Sequence, residues 1–251
     1  MIEKTCGFII SRRLYRDTSL ILKIYTRDFG KIEGIVKGVR KIEDYGRYDG
    51  LLNLFCEYEV IFYRRRSELK LFVQFYLLNA WWELTRDYHT FCIASSAFEF
   101  LNYVMPPEQP SKAIYELTGE FLKWIIKGSP EIFYYAFVLK LLKFSGFNPQ
   151  IDCCLICGRK IFPDAYFSIC DGGIICARCK KPNSNLQPVS PGVIKSIIFL
   201  EQKPWENISR LRLTLDVKEE LHKLLKDFIG FHLNYTPKAL AVLEKEIVFA
   251  R

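Results

Sequence analysis

Leu20-Ile21-Leu22-Lys23-Ile24-Tyr25-Thr26-Arg27-Asp28-Phe29-Gly30-Lys31-Ile32-Glu33-Gly34-Ile35-Val36 reads as strand, turn, strand. Short apolar runs stand on either side of Arg27-Asp28-Phe29-Gly30, which carries the turn signals. The same grammar extends outward: Phe8-Ile9-Ile10 precedes it, and Val60-Ile61-Phe62 and residues 69–76 follow. Gly46 and Gly50 mark a further break. About five such strands in about eighty residues predict a small β-barrel over residues 1–80. Residues 37–49 are too polar for a core and are expected to form an exposed loop.

From Trp81 the period changes. Phe91, Ala94, Ala97, Phe98 and Leu101 follow helical spacing. Pro106, Pro107 and Pro110 break the chain, and Ser111 is placed to cap a second helix with Ile114, Leu117, Phe121 and Ile125 on one face. Ser129-Pro130 opens a third, apolar nearly all round and therefore expected to be central and buried, with Gly146 as its stop. Residues 151–182 turn to cysteine and glycine, and residues 181–191 read as a linker. Helix then returns, with Asp216 and Glu219 at capping-box spacing and Leu221, Leu224, Leu225 and Phe228 as its apolar stripe. The expected class is α+β and multidomain. A barrel (1–80) precedes a helical domain (81–150 and 183–251), into which a cysteine module (151–182) is inserted.

Cys154-Leu155-Ile156-Cys157-Gly158 and Cys176-Ala177-Arg178-Cys179 are two C-x-x-C knuckles separated by 18 residues. Each turns two sulfurs toward one point, and a hairpin between them can bring the pairs together. Four thiolates suit one structural Zn2+, so Cys154, Cys157, Cys176 and Cys179 are the candidate ligands. Cys153 could replace Cys154, and Cys170 lies on the connecting hairpin; the symmetrical set is preferred and these two are treated as spares. A redox dithiol would sit in a βαβ context, which the surrounding pattern lacks. Cys6, Cys56 and Cys92 fall in apolar runs and are expected in the core. Nine cysteines cannot all pair within one chain, which favours a reducing cytoplasm.

The 251 residues carry a net charge of +8, placed unevenly. Residues 1–80 hold 15 Lys and Arg against 10 Asp and Glu, whereas residues 81–180 balance at 10 and 10. Arg12, Arg13 and Arg16 cluster at the first strand-to-strand turn, Lys37, Arg40, Lys41 and Arg47 fall in the polar loop, and Arg64-Arg65-Arg66 sits between the fourth and fifth strands. A solvated surface explains any one group; three on one barrel point to a phosphate-tracking surface, with Tyr15, Tyr45 and Tyr48 available to stack on bases. The triple arginine is the weakest, since it also serves to blunt a hairpin edge.

Other classes are disfavoured. Gly30-Lys31 lacks the upstream glycine and the Ser or Thr of a phosphate loop, and neither G-x-G-x-x-G nor G-x-S-x-G occurs. His89, His222 and His232 have no recognisable nucleophile partner. The longest apolar run, residues 132–139, is far short of the roughly 18 residues of a membrane span. Glu3 and Lys4 near the start, without a small-residue cleavage site, argue against a secretory signal.

Gly7-Phe8-Ile9-Ile10, Tyr25-Thr26 with Phe29-Gly30-Lys31, and Val36-Lys37-Gly38-Val39-Arg40-Lys41 resemble the opening strands and basic loop of the bacterial RecO family of DNA repair proteins. Lys140-Leu141-Leu142 leading to Gly146-Phe147-Asn148-Pro149, the two knuckles with Phe167-Ser168 and Gly172-Gly173, and Phe231-His232-Leu233 extend the resemblance over nearly the whole chain. It implies an OB-fold for the barrel and binding of single- and double-stranded DNA. It also implies annealing of complementary strands and partnership with RecR. Contact with the C-terminal tail of single-stranded DNA-binding protein is expected too, with loading of RecA, an indirect partner, onto coated strands. The expected protein is a cytoplasmic, nucleoid-associated recombination mediator and not an enzyme. A zinc-stapled protein adaptor with incidental DNA contact is the alternative, and an OB-type nuclease or ligase is disfavoured by the lack of an acidic cluster and an active-site lysine motif.

Overall fold

The computed structural model describes residues 1–39, 52–64, 69–160, 164–182 and 185–236. Its N-terminal strands are β1 (Ile2–Tyr15), β2 (Ser19–Thr26), β3 (Gly30–Val36), β4 (Cys56–Tyr63) and β5 (Lys70–Ala80). β1 pairs antiparallel with both β2 and β4, β2 with β3, and β4 with β5; a parallel pairing of β3 with β5 closes the sheet on itself. Alternate residues of β3 and β4 are buried, as a half-covered strand requires. Ile24, Ile32, Val60, Phe62 and Phe72 fill the interior. β2 is buried on both faces, because Tyr25 points away from the barrel into the helices. That explains its nearly unbroken apolar sequence.

Two local features shape the barrel. β1 runs well past its apolar core: beyond a bulge between Ile9 and Ser11, its ladder with β2 continues to Tyr15 opposite Ser19. Arg12 and Arg13 therefore lie on the strand, and only Arg16 occupies the turn where all three were expected. Backbone pairing is indifferent to a charged side chain that points to water. Gly34 makes the closure possible. It faces Lys70 across the parallel pairing, and a Cβ there would stand 2.6 Å from Phe72 Cε2 and 2.8 Å from the Lys70 carbonyl oxygen.

A 3-10 turn (Trp82–Thr85) leads to α1 (Tyr88–Val104), α2 (Lys112–Ile125) and α3 (Pro130–Phe144). Asp87 caps α1 by accepting from the Thr90 N–H, and Ser111 caps α2 through the Ile114 N–H. Ser129 precedes Pro130 as expected, but its hydroxyl donates to the Glu131 carboxylate at 2.6 Å instead of capping the backbone. α3 ends in a Schellman arrangement: the Gly146 N–H donates to Lys143 O, the Phe147 N–H to Leu142 O, and Gly146 takes φ +78°.

β6 (Ala165–Ser168) and β7 (Gly173–Cys176) form the cysteine hairpin. β8 (Gln187–Val189) adds to the free edge of β6, so the segment read as a linker contributes a strand. α4 (Pro191–Gln202), α5 (Trp205–Ile208) and α6 (Leu215–Leu233) complete the chain. The capping box expected from Asp216 and Glu219 is absent: Thr214 is the N-cap and makes no side-chain cap bond, while Asp216 lies in the first turn. Among the described residues no helix is long and apolar enough to cross a membrane.

The α1–α2 connector straps the helices to the barrel. The Glu108 N–H donates to Lys31 O at 3.0 Å, and the Glu108 carboxylate meets the buried Lys70 ammonium at 2.6 Å. The Lys70 hydrogen bond holds the Glu108 carboxyl below its ordinary value, against a smaller opposing effect of burial. A carboxyl depressed in the folded state adds stability above its unfolded pKa and loses it as the pH falls. The melting-temperature deficit of Glu108→Gln at neutral pH should therefore shrink as pH drops below about 4.5; a deficit that does not change with pH would show that charge is not its cause. Gly34→Val should destabilise by about 1–3 kcal/mol or more in urea unfolding, as overpacking at a close backbone approach does; wild-type stability would mean that the β3–β5 contact can yield freely.

Candidate metal centre and nucleic-acid interface

The knuckles are built by backbone turns. The Gly158 N–H donates to Cys154 O at 2.9 Å, and Gly158 takes φ +68°, a conformation glycine adopts without strain. In the second knuckle the N–H groups of Cys179 and Lys180 both reach Cys176 O, at 3.0 and 3.1 Å. The Leu155 N–H donates to Ile174 O at 2.9 Å, which sews the first knuckle to the hairpin carrying the second. The sulfurs of Cys154, Cys157, Cys176 and Cys179 come within 4.8 Å of one another, with Cys157 and Cys176 3.9 Å apart. Cys153 and Cys170 stand outside this group. Cys153 accepts from the Gln150 amide at 3.7 Å, and Cys170 is exposed.

Hydrogen bonding sets two of the four thiols apart. Burial raises the cost of ionising Cys154, but N–H donors from Cys176, Cys157 and Ile156 outweigh it and draw the thiol down to about 6. Hydrogen bonds with the Cys176 and Cys157 sulfurs push Cys179 up to about 12. Four sulfurs this close cannot all carry negative charge unless a positive ion sits among them. From α6, His232 Nε2 lies 2.7 Å from Ile169 O in the turn between β6 and β7 and fixes the hairpin to the helices. Only the weak Phe231-His232-Leu233 pattern pointed to this residue. Of the three cysteines expected in the core, Cys56 and Cys92 are buried and Cys6 is partly so.

The basic residues divide. Arg16 and Lys37 line one open cleft of about 600 Å3 at the β1–β2 turn, together with Asp17, Tyr15, Thr18 and Ser19, so two cations share it with one carboxylate. The Arg16 guanidinium lies 5.3 Å from the Tyr15 ring centroid, and Arg16 takes φ +53°. Arg12 is not part of this cleft; its Nη1 donates to Asn53 Oδ1 at 2.9 Å. Arg13 faces elsewhere, 3.1 Å from Glu33. Arg40, Lys41 and Arg47, with Tyr45 and Tyr48, lie outside the described residues, as do Arg65 and Arg66. Arg64 rests 5.9 Å from the Phe29 ring centroid. Lys23 and Lys31 were not among the DNA-contact candidates read from the sequence. They line a second cleft of about 640 Å3 with Arg13 and Glu33. The signal was present in the hairpin centred on residues 27–29, which sets Lys23 opposite Glu33.

The chain matches two family models, described as the N-terminal part of recombination protein O over residues 1–81 and its C-terminal part over residues 85–241. It is 30% identical over 249 residues to a protein of Syntrophus aciditrophicus named DNA repair protein RecO, covering 97% of this chain and 95% of that one. Proteins of the same name from Alkaliphilus metalliredigens and Caldanaerobacter subterraneus are 29% and 24% identical over 93% and 92% of this chain, and 95% and 92% of their own lengths. With both models spanning nearly the whole length, in the order the barrel and helices occupy, the chain belongs to the recombination protein O (RecO) family.

Proposed function

We propose that this chain is a DNA repair and recombination mediator that binds single- and double-stranded DNA through its barrel, anneals complementary strands, and breaks no covalent bond itself. The observation that carries this reading is the cleft that Arg16 and Lys37 line with Tyr15 and Asp17, on the barrel of a RecO-family chain. The strand order β1-β2-β3-β5-β4, with β1 joining both ends, supports an OB-fold, a platform suited to single strands. Arg16 and Lys37 offer phosphate contacts, and Tyr15, 39% exposed, offers a ring face to a base. A cationic surface screens the repulsion between two strands, and base pairing supplies the free energy. RecR, the acidic tail of single-stranded DNA-binding protein and, indirectly, RecA are the partners of this reading, within the cytoplasm.

The ion of the four-cysteine cluster is, in this reading, Zn2+. Tetrahedral thiolates at about 2.3 Å from zinc stand about 3.8 Å apart, close to the 3.9 Å between Cys157 and Cys176. Four protein ligands leave no position for water, so the role is structural. Exposed Tyr76, Leu77 and Leu78 on β5 favour the adaptor reading, in which protein contacts matter more than DNA.

Metal analysis of protein purified without chelator should give one zinc per chain, and Cys157→Ser with Cys179→Ser should abolish it and lower the melting temperature. A metal-free wild type of full stability would overturn the zinc assignment. Arg16→Ala with Lys37→Ala should weaken binding to all sequences alike and lower the slope of log affinity against log salt by about 0.7 for each single-strand phosphate no longer neutralised. Annealing without nucleotide, with strand lengths checked on a gel, tests the whole: annealing of intact strands supports mediation, inactivity supports the adaptor, and cut or joined strands would overturn both.

A further inference from the structure

The second cleft collects charge from parts of the sequence that composition alone does not connect. β1 supplies Arg13, β2 Lys23, and β3 both Lys31 and Glu33, while Pro107 and Glu108 of the strap form its far wall. Glu33 pairs with both Arg13 and Lys23, at 3.1 and 3.8 Å, so one negative charge is shared between two cations. Lys31 donates to the main-chain oxygen of Asn102, which takes one of three ammonium protons. Burial, and then the Lys23 charge, make the Lys31 ammonium harder to hold protonated. Glu108 already has the buried Lys70 as its partner. The cleft thus gathers three cations around one shared carboxylate, in a space within the usual range for a small-ligand site.

We propose that this cleft is a second phosphate-binding subsite for a DNA strand, in which Arg13, Lys23 and Lys31 receive a backbone phosphate and Glu33 holds the first two in place while the subsite is empty. The inference rests on the DNA-binding reading above and adds to the Arg16–Lys37 cleft a second point of contact on the same barrel. Glu33 acts here as a competitor: it occupies the two cations that a phosphate would otherwise engage. Its removal and theirs must therefore change affinity in opposite directions, which a merely structural role for these residues would not produce.

The test uses the full-length chain, a labelled oligothymidylate and a salt titration of four proteins: wild type, Arg13→Ala with Lys23→Ala, Glu33→Gln, and Arg16→Ala with Lys37→Ala. The Arg13–Lys23 double variant should lose affinity and show a slope shallower by about 0.7, the share of the one single-strand phosphate that the cleft receives. Glu33→Gln should bind more tightly than wild type; it keeps the side-chain volume, so it still reads the cleft if the double variant folds poorly. Wild-type slope in the double variant, or weaker binding by Glu33→Gln, would overturn the subsite. If the Arg16–Lys37 variant alone loses affinity, the barrel still binds DNA and only this inference fails. If the wild type itself has no affinity, the DNA-binding reading fails and the subsite falls with it.

Discussion

Helix α3 has no face that water could tolerate. Ten of its fifteen residues are buried, including Phe133, Tyr134, Tyr135 and Phe137, and it must be surrounded on all sides. α1, α2, α4 and α5 supply those surroundings. The one cation along its buried length, Lys140, is accommodated by chemistry and not by exposure: its ammonium donates to the carbonyls of Glu201 and Lys203 at 3.0 Å each, where α4 ends and its last carbonyls lack helical partners. Burial lowers the pKa of Lys140, and Lys143 lowers it further. The order of helices along the chain follows from enclosing α3, since the elements before and after the cysteine module both have to reach it.

Enclosure also explains how the barrel is held. Its outer face presents Phe8 and Tyr25 to the helices. Phe8 meets the Tyr115 ring at 5.0 Å between centroids, and Tyr115 donates its hydroxyl to Glu57 on β4. The desolvated Tyr25 phenol is pushed up to about 12, so it stays neutral against the helices. What remains exposed on the barrel includes the β1–β2 turn with Arg16, the Arg13 side chain on β1, and much of β5, where Tyr76, Leu77 and Leu78 face water. Apolar packing against the helices thus takes the face that carries Phe8 and Tyr25 and leaves the rest of the barrel's outside to water.

Much of this was legible. Period-two runs marked the strands because half-buried strands alternate, and Ser111, Pro130 and Gly146 marked helix ends through backbone chemistry that needs no tertiary partner. The knuckle spacing was equally local, and it brought the four intended sulfurs together. What escaped notice depended on pairings at a distance. The polarity of Arg12 and Arg13 looks loop-like, whereas the ladder with β2 carries them along a strand. Gln187–Val189 looks like linker because three residues have no period, and only the free edge of β6 makes them a strand. Lys23 and Lys31 become neighbours of Arg13 only once β1, β2 and β3 are in register. The charge count identified the barrel as basic without saying which cations would converge.

One apolar cluster runs without interruption from Phe8 and Tyr25 through the helices to Phe167, Ile174 and the buried ligand candidate Cys154. The helices and the cysteine module therefore share one interior with the barrel's outer face, while the barrel keeps a second cluster of its own inside the strands. Losing the grip at the knuckles would be felt as far as the residues packed against the barrel's outer face. Such a chain is poorly suited to being cut and rejoined in evolution: a substitute module would have to match the volumes of Phe228 and His232 on α6 as well as supply four sulfurs.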